Sequence, residues 1–152
     1  MAVAIGRTGP LGVDVEDFDR RTAERDASMV DTVLTAEEAA DLARYGRPDG
    51  LLTYWTRKEA VLKATGEGLR IGLRQVVVSA PDAPPALIRS GHDAGLPARA
   101  QLRTLSPGTG YVACLAVLDT PAPGLTEFDA TALLQRAAAV RGGLKGNRGS
   151  ES

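Results

Sequence analysis

One cysteine, one histidine and almost no net charge constrain this chain of 152 residues before any motif is read. The lone Cys114 excludes an internal disulfide, and its setting in the apolar run YVACLAVL predicts a small buried hydrophobe, in keeping with a reducing cytoplasm. Lys plus Arg total 18 against 19 for Asp plus Glu, so no global field draws the protein to nucleic acid or an anionic membrane, and any anion site is local. His92, in the glycine-rich stretch SGHDAGLPA, has no neighbours at metal or triad spacing and reads as a solvent-exposed loop residue. No apolar run approaches the roughly 20 residues of a membrane span, and MAVAIGRTGP has neither the basic region nor the long apolar region of a signal peptide. Internal repeats are absent too.

What is present is the composition of one domain, 43% hydrophobic and 24% charged. Ala2 to Ile5 is a short strand-like run, so the chain is expected to enter its domain with almost no leader, or to be a truncated or mis-started product. With the turn GRTGP and the alternating LGVDVED, this run predicts a β-hairpin whose apolar face carries Leu11, Val13 and Val15. FDRRTAERDASMVDTVL has helical composition. Thr35 and Glu38 have capping-box spacing and should start a short helix through Tyr45. GRPDG then breaks the chain before a helix from about Leu51 to Thr65, closed by Gly66 and Gly68. Beyond Gly72, the runs LRQVVVSA, PALIRS, ARAQLRTL and GYVACLAVL predict an antiparallel sheet, with SPGTG a hairpin loop and SGHDAGLPA a longer, mobile one. Residues 126–140 suit a last amphipathic helix through Phe128, Leu133 and Leu134. The domain is therefore expected over residues 1–140, and 141–152 as a disordered tail.

On a helical wheel Leu51, Leu62, Trp55 and Leu52 form one apolar arc, and Glu59 falls inside it, toward the edge where Lys63 lies. A surface pair between Glu59 and Lys63 would return a few tenths of a kcal/mol. A carboxylate among apolar side chains costs several kcal/mol unless it is compensated, so Glu59 requires a partner from elsewhere in the chain. Asp14 and Glu16, two apart on a strand, point to one face with Cα atoms about 7 Å apart. Alone they read as the solvated acidic face of an alternating strand. Together with Glu59 they form a plausible Mg²⁺ site that substrate phosphates would complete, flanked by Lys58 and Lys63 as phosphate-binding charges. The glycines of GEGLRIG follow a helix instead of opening one, and so read as cap and turn, not as a dinucleotide fingerprint. Arg20, Arg21 and Arg25 form a solvated face or a docking patch for an acidic partner.

GVDVE on a strand and WTRKEAVLKATGEGL on a helix some forty residues later together resemble the 4′-phosphopantetheinyl transferases, particularly the surfactin-synthetase-activating (Sfp-like) type. Every fixed position of the family patterns G-[VI]-D-x-E and W-x-x-K-E-[AS]-x-x-K-x-x-G-x-G-L is present, and the likeness runs from Gly12 to Leu118. The resemblance implies an α+β fold, an antiparallel sheet packed against helices, forming one half of a two-fold pseudo-symmetric architecture. It implies transfer of the phosphopantetheine arm of coenzyme A to a serine of an acyl or peptidyl carrier protein. Asp14, Glu16 and Glu59 match the Mg²⁺ ligands, with Glu59 also a general base. Lys63 matches the lysine that stabilises or protonates the leaving adenosine 3′,5′-bisphosphate, and Lys58 one that contacts coenzyme A phosphates.

The chain departs from the Sfp-like pattern in resembling only its second half, without the serine–histidine segment that touches the coenzyme A 3′-phosphate. Two alternatives follow from the resemblance: a fragment with impaired coenzyme A binding, or a homo-oligomer that borrows the missing wall, as the short holo-acyl-carrier-protein synthases do. An unpaired apolar cleft wall favours association. Rival readings are a non-catalytic half that keeps the metal site and binds a carrier protein or a companion domain, and another Mg²⁺-dependent phosphate-processing enzyme.

Overall fold

The computed structural model describes residues 2–7, 9–20, 23–121 and 123–131. Its first strand, β1 (Leu11–Asp17), leads through a 3-10 turn into α1 (Ala23–Val33), α2 (Ala36–Tyr45) and α3 (Gly50–Thr65). Strands β2 (Val76–Val78) and β3 (Leu87–Ser90), the short α4 (Leu96–Arg99), and strands β4 (Ala100–Leu105) and β5 (Tyr111–Leu118) follow. The fold is α+β, with β1-β5-β4 as one antiparallel sheet and β2-β3 as a second.

The helices begin and end where local chemistry dictates. Thr35 Oγ1 accepts from the Glu38 N–H, and the Glu38 carboxylate accepts from the Thr35 N–H, so the expected capping box opens α2. Gly66, at φ +73°, ends α3 in the left-handed region that glycine enters without penalty. Leu51, Tyr54, Val61 and Leu62 of α3 are buried together with Val33, Val76, Leu102 and Ala116.

The predicted opening hairpin does not form. Residues 2–5 are irregular, with Val3 75% and Ile5 93% exposed, and the strand that pairs with β1 is β5, from Leu11↔Val117 to Asp17↔Tyr111. The buried face of β1 also differs from the predicted one: Gly12 and Asp14 are buried, whereas Leu11, Val13 and Val15 are only half-buried. Gly12 explains the choice, since a Cβ there would lie 2.3 Å from Ala60 O and 2.5 Å from Ala64 N, so only glycine lets β1 sit this close to α3. The close approach turns the strand acids toward the helix.

Cys114, opposite Asp14 in the β1–β5 register, is buried as expected, and burial pushes its thiol up to about 12. SGHDAGLPA ends in the start of α4, and His92 lies in it 54% exposed with Nε2 2.7 Å from Glu67 Oε1. The start of the predicted last helix, 126–130, is irregular, with Phe128 exposed; residues 132–140, the 141–152 tail and the Arg20, Arg21 and Arg25 side chains lie outside the described residues.

Candidate active site

A helix rises about 6 Å over four residues and a strand about 6.6 Å over two, so side chains at i, i+4, i+8 of one can face those at j, j+2, j+4 of the other. Trp55, Glu59 and Lys63 are such a stripe on α3, and Gly12, Asp14 and Glu16 are the matching positions on β1. Trp55 Nε1 donates to Glu16 Oε1 at 3.1 Å. Lys63 Nζ donates to Asp14 Oδ1 at 2.6 Å and to the Val13 carbonyl at 3.2 Å, so Lys63 is paired with the strand and not with Glu59. The antiparallel match places Glu59 near enough to Asp14 and Glu16 for their charges to act on its carboxyl.

The middle of this arrangement is short of donors. Asp14 Oδ2 and Glu59 Oε1 are buried with no protein hydrogen-bond partner. Burial, then the negative charges of Asp14 and Glu16, hold the Glu59 carboxyl above the usual glutamate range, with Lys63 opposing the shift. The partner that the wheel demanded for Glu59 is therefore not a protein donor. Among the described residues no group of three or more His, Cys, Asp or Glu side chains is placed to hold a metal ion. Mg²⁺ requires no such group, since it is usually held by one or two carboxylates with waters and substrate phosphates completing the octahedron. The two partnerless oxygens, supplied by two elements, fit that requirement.

Lys58 corrects the sequence reading. Instead of flanking the acids it is 0% exposed, and its ammonium donates to Val33 O at 2.7 Å, Glu38 Oε2 at 2.6 Å and Leu73 O at 3.1 Å. Three donors meet three acceptors, so no hydrogen is left for a coenzyme A phosphate. Burial lowers its pKa, against the opposing pull of Glu38. The signal was in the spacing: Lys58 falls at four-residue steps between Tyr54 and Leu62, on the apolar side of α3. Arg57 was overlooked as well. It is buried, and its guanidinium donates to Ser79 O, Ser79 Oγ, Ala80 O and Ala83 O, tying α3 to the turn after β2. Trp55 also escaped a site role, although its position four residues before Glu59 places it on the same stripe.

A family profile described as ACPS, 4′-phosphopantetheinyl transferase superfamily, matches residues 10–116, a span that contains β1, α3 and the acids they bring together. The chain belongs to the 4′-phosphopantetheinyl transferase superfamily. Phosphopantetheinyl transfer is the chemistry of that superfamily, and the stripe of Trp55, Glu59 and Lys63 against Asp14 and Glu16 lies within the matched span. Among solved structures, the acyl carrier protein synthase (AcpS) of Mycobacterium tuberculosis is similar at 24% identity over 74% of this chain and 97% of that one, with a TM-score of 0.48. At that level it is a likeness only. No curated protein matches the chain. Among the described residues no helix is long and apolar enough to cross a membrane.

Proposed function

We propose that the chain transfers the 4′-phosphopantetheine arm of coenzyme A to a serine hydroxyl of an acyl or peptidyl carrier protein, with Mg²⁺ held by Asp14, Glu16 and Glu59. The observation that carries this reading is the pair of buried oxygens, Asp14 Oδ2 and Glu59 Oε1, left without donors inside the span that matches the superfamily. When bound, the ion neutralises the crowded carboxylates and withdraws charge from the pyrophosphate.

The remaining chemistry belongs to the chain's own residues. Glu59, the one helix acid of the group, accepts the proton of the serine hydroxyl. The serine oxygen forms its bond to the β-phosphorus as the bond from that phosphorus to the oxygen of adenosine 3′,5′-bisphosphate breaks, and the electron pair leaves with the nucleotide. Lys63, whose side chain is 48% exposed on a flexible stem, can leave Asp14 to offset the charge that builds on the departing phosphate. Lys58 takes no part, since its ammonium is sealed. The pairing of GVDVE with WTRKEAVLKATGEGL supports an Sfp-like enzyme within the superfamily.

The test is incubation with coenzyme A, Mg²⁺ and an apo carrier protein, read by mass spectrometry of the carrier. Addition of the arm is expected, and its absence with folded protein and several carriers would overturn the reading. Carrier binding without transfer would favour a non-catalytic binding domain.

A further inference from the structure

The two strand acids are held by chemically different donors. Lys63 is a cation on a flexible stem, half exposed to solvent, whereas Trp55 offers a single neutral N–H from a rigid ring that packs against the hydrophobic core. A half-buried indole satisfies its N–H wherever an acceptor is near. Here the acceptor is the Glu16 carboxylate, 3.1 Å away and 39 residues distant in sequence. Glu16 is the next-to-last residue of β1, where a long, half-buried carboxylate side chain has rotamers to choose from unless something holds it.

We propose that Trp55 is a positioning residue of the candidate cation site, fixing one oxygen of Glu16 so that the carboxylate presents the other in a single orientation beside Asp14 and Glu59. The inference rests on the cation reading given above. The indole touches neither ion nor substrate in this role and acts through Glu16. Its neutrality matters, because an N–H donor orients a carboxylate without cancelling its charge, whereas a lysine at the same place would compete with the ion. Partners that orient a ligand in this way are each worth roughly 10–100-fold in metal affinity.

The experiment measures Mn²⁺ binding to the full chain by electron paramagnetic resonance of the free ion, for the wild type, Trp55→Phe, Glu16→Gln and the double variant. Trp55→Phe, which keeps an aromatic body and removes the N–H, should weaken Mn²⁺ binding by roughly 10–100-fold. In the Glu16→Gln background it should weaken it no further. Equal affinity of Trp55→Phe and wild type overturns the proposal and leaves the cation site standing. An equal loss in both backgrounds also overturns it, since the effect then does not pass through Glu16. No Mn²⁺ binding by the wild type overturns the cation reading and this inference with it.

A measurement on the unaltered protein covers the case in which Trp55→Phe does not fold. The chain has one tryptophan, so a ¹⁵N-labelled sample gives one indole N–H resonance. That resonance should shift on Mg²⁺ titration and saturate with ion binding. An unmoved signal in protein that binds the ion overturns the proposal.

Discussion

Two lysines of α3, five residues apart, have opposite fates. Lys58 is sealed among Glu38, Val33 and Leu73, with every ammonium hydrogen used, whereas Lys63 stands half in solvent and holds one oxygen of Asp14 while the other oxygen has no partner. Glu38 has both oxygens engaged, since it accepts from Lys58, from the Thr35 N–H and from the Val78 N–H, and so joins α2, α3 and β2. A charge with no hydrogen-bonding capacity left over supports the fold, and chemistry is found where that capacity remains unfilled.

Removing the sealed charge should show the largest effect on stability. Lys58→Met leaves Glu38 buried without its counterion, a change expected to cost about 3–5 kcal/mol, read from urea unfolding. A loss no greater than that of Lys63→Met would break the contrast between the two lysines. Glu59→Gln should act the other way round. Turnover should fall by roughly 10²–10⁴-fold as the base is lost. Stability in the absence of divalent ions should hold or rise, because a crowded, partnerless carboxylate becomes neutral. A drop in melting temperature would place Glu59 with the structural charges.

Gly12→Ala tests whether close approach aligns the stripe. Its Cβ would collide with the Ala60 carbonyl, so β1 must move off α3, at about 1–3 kcal/mol in stability and with weaker Mn²⁺ binding. Lys63→Met should lower turnover and cost less in unfolding free energy than Lys58→Met, because its ammonium stands half in solvent although Asp14 is buried.

The smallest effect is on pH dependence without divalent ions. Because the Glu59 carboxyl titrates above the ordinary glutamate range in the folded state, the native protein retains a proton that the unfolded chain has already lost. Its contribution to stability is full below the ordinary range and fades as pH rises through the raised value. Urea midpoints across pH 4 to 8 should therefore decline more steeply in wild type than in Glu59→Gln, and added Mg²⁺ should remove the difference.

Local chemistry made much of this legible in the sequence. The capping box at Thr35 and Glu38, the stop at Gly66, the alternating β1 and the apolar β5 are written in short windows, and each forms as expected. The helical wheel placed Glu59 among apolar side chains, and burial does raise its carboxyl above the ordinary range. The failures were of long range. Ala2 to Ile5 has a strand's composition and forms none, and the partner of β1 is β5, a hundred residues later. Hydropathy assigned Leu11, Val13 and Val15 to the buried face, but the helix required the face on which Gly12 has no side chain. Lys58 looked like a free charge because Glu38 lies 20 residues away and nothing local announces their meeting.

The thiol of Cys114 lies on the strand directly across from Asp14, sealed from solvent and held far from ionisation. Alkylating reagents at neutral pH should therefore react with it only when the sheet opens. The rate of that modification is an intrinsic clock for breathing of the molecule, and a ligand that clamps helix and strand together should slow it.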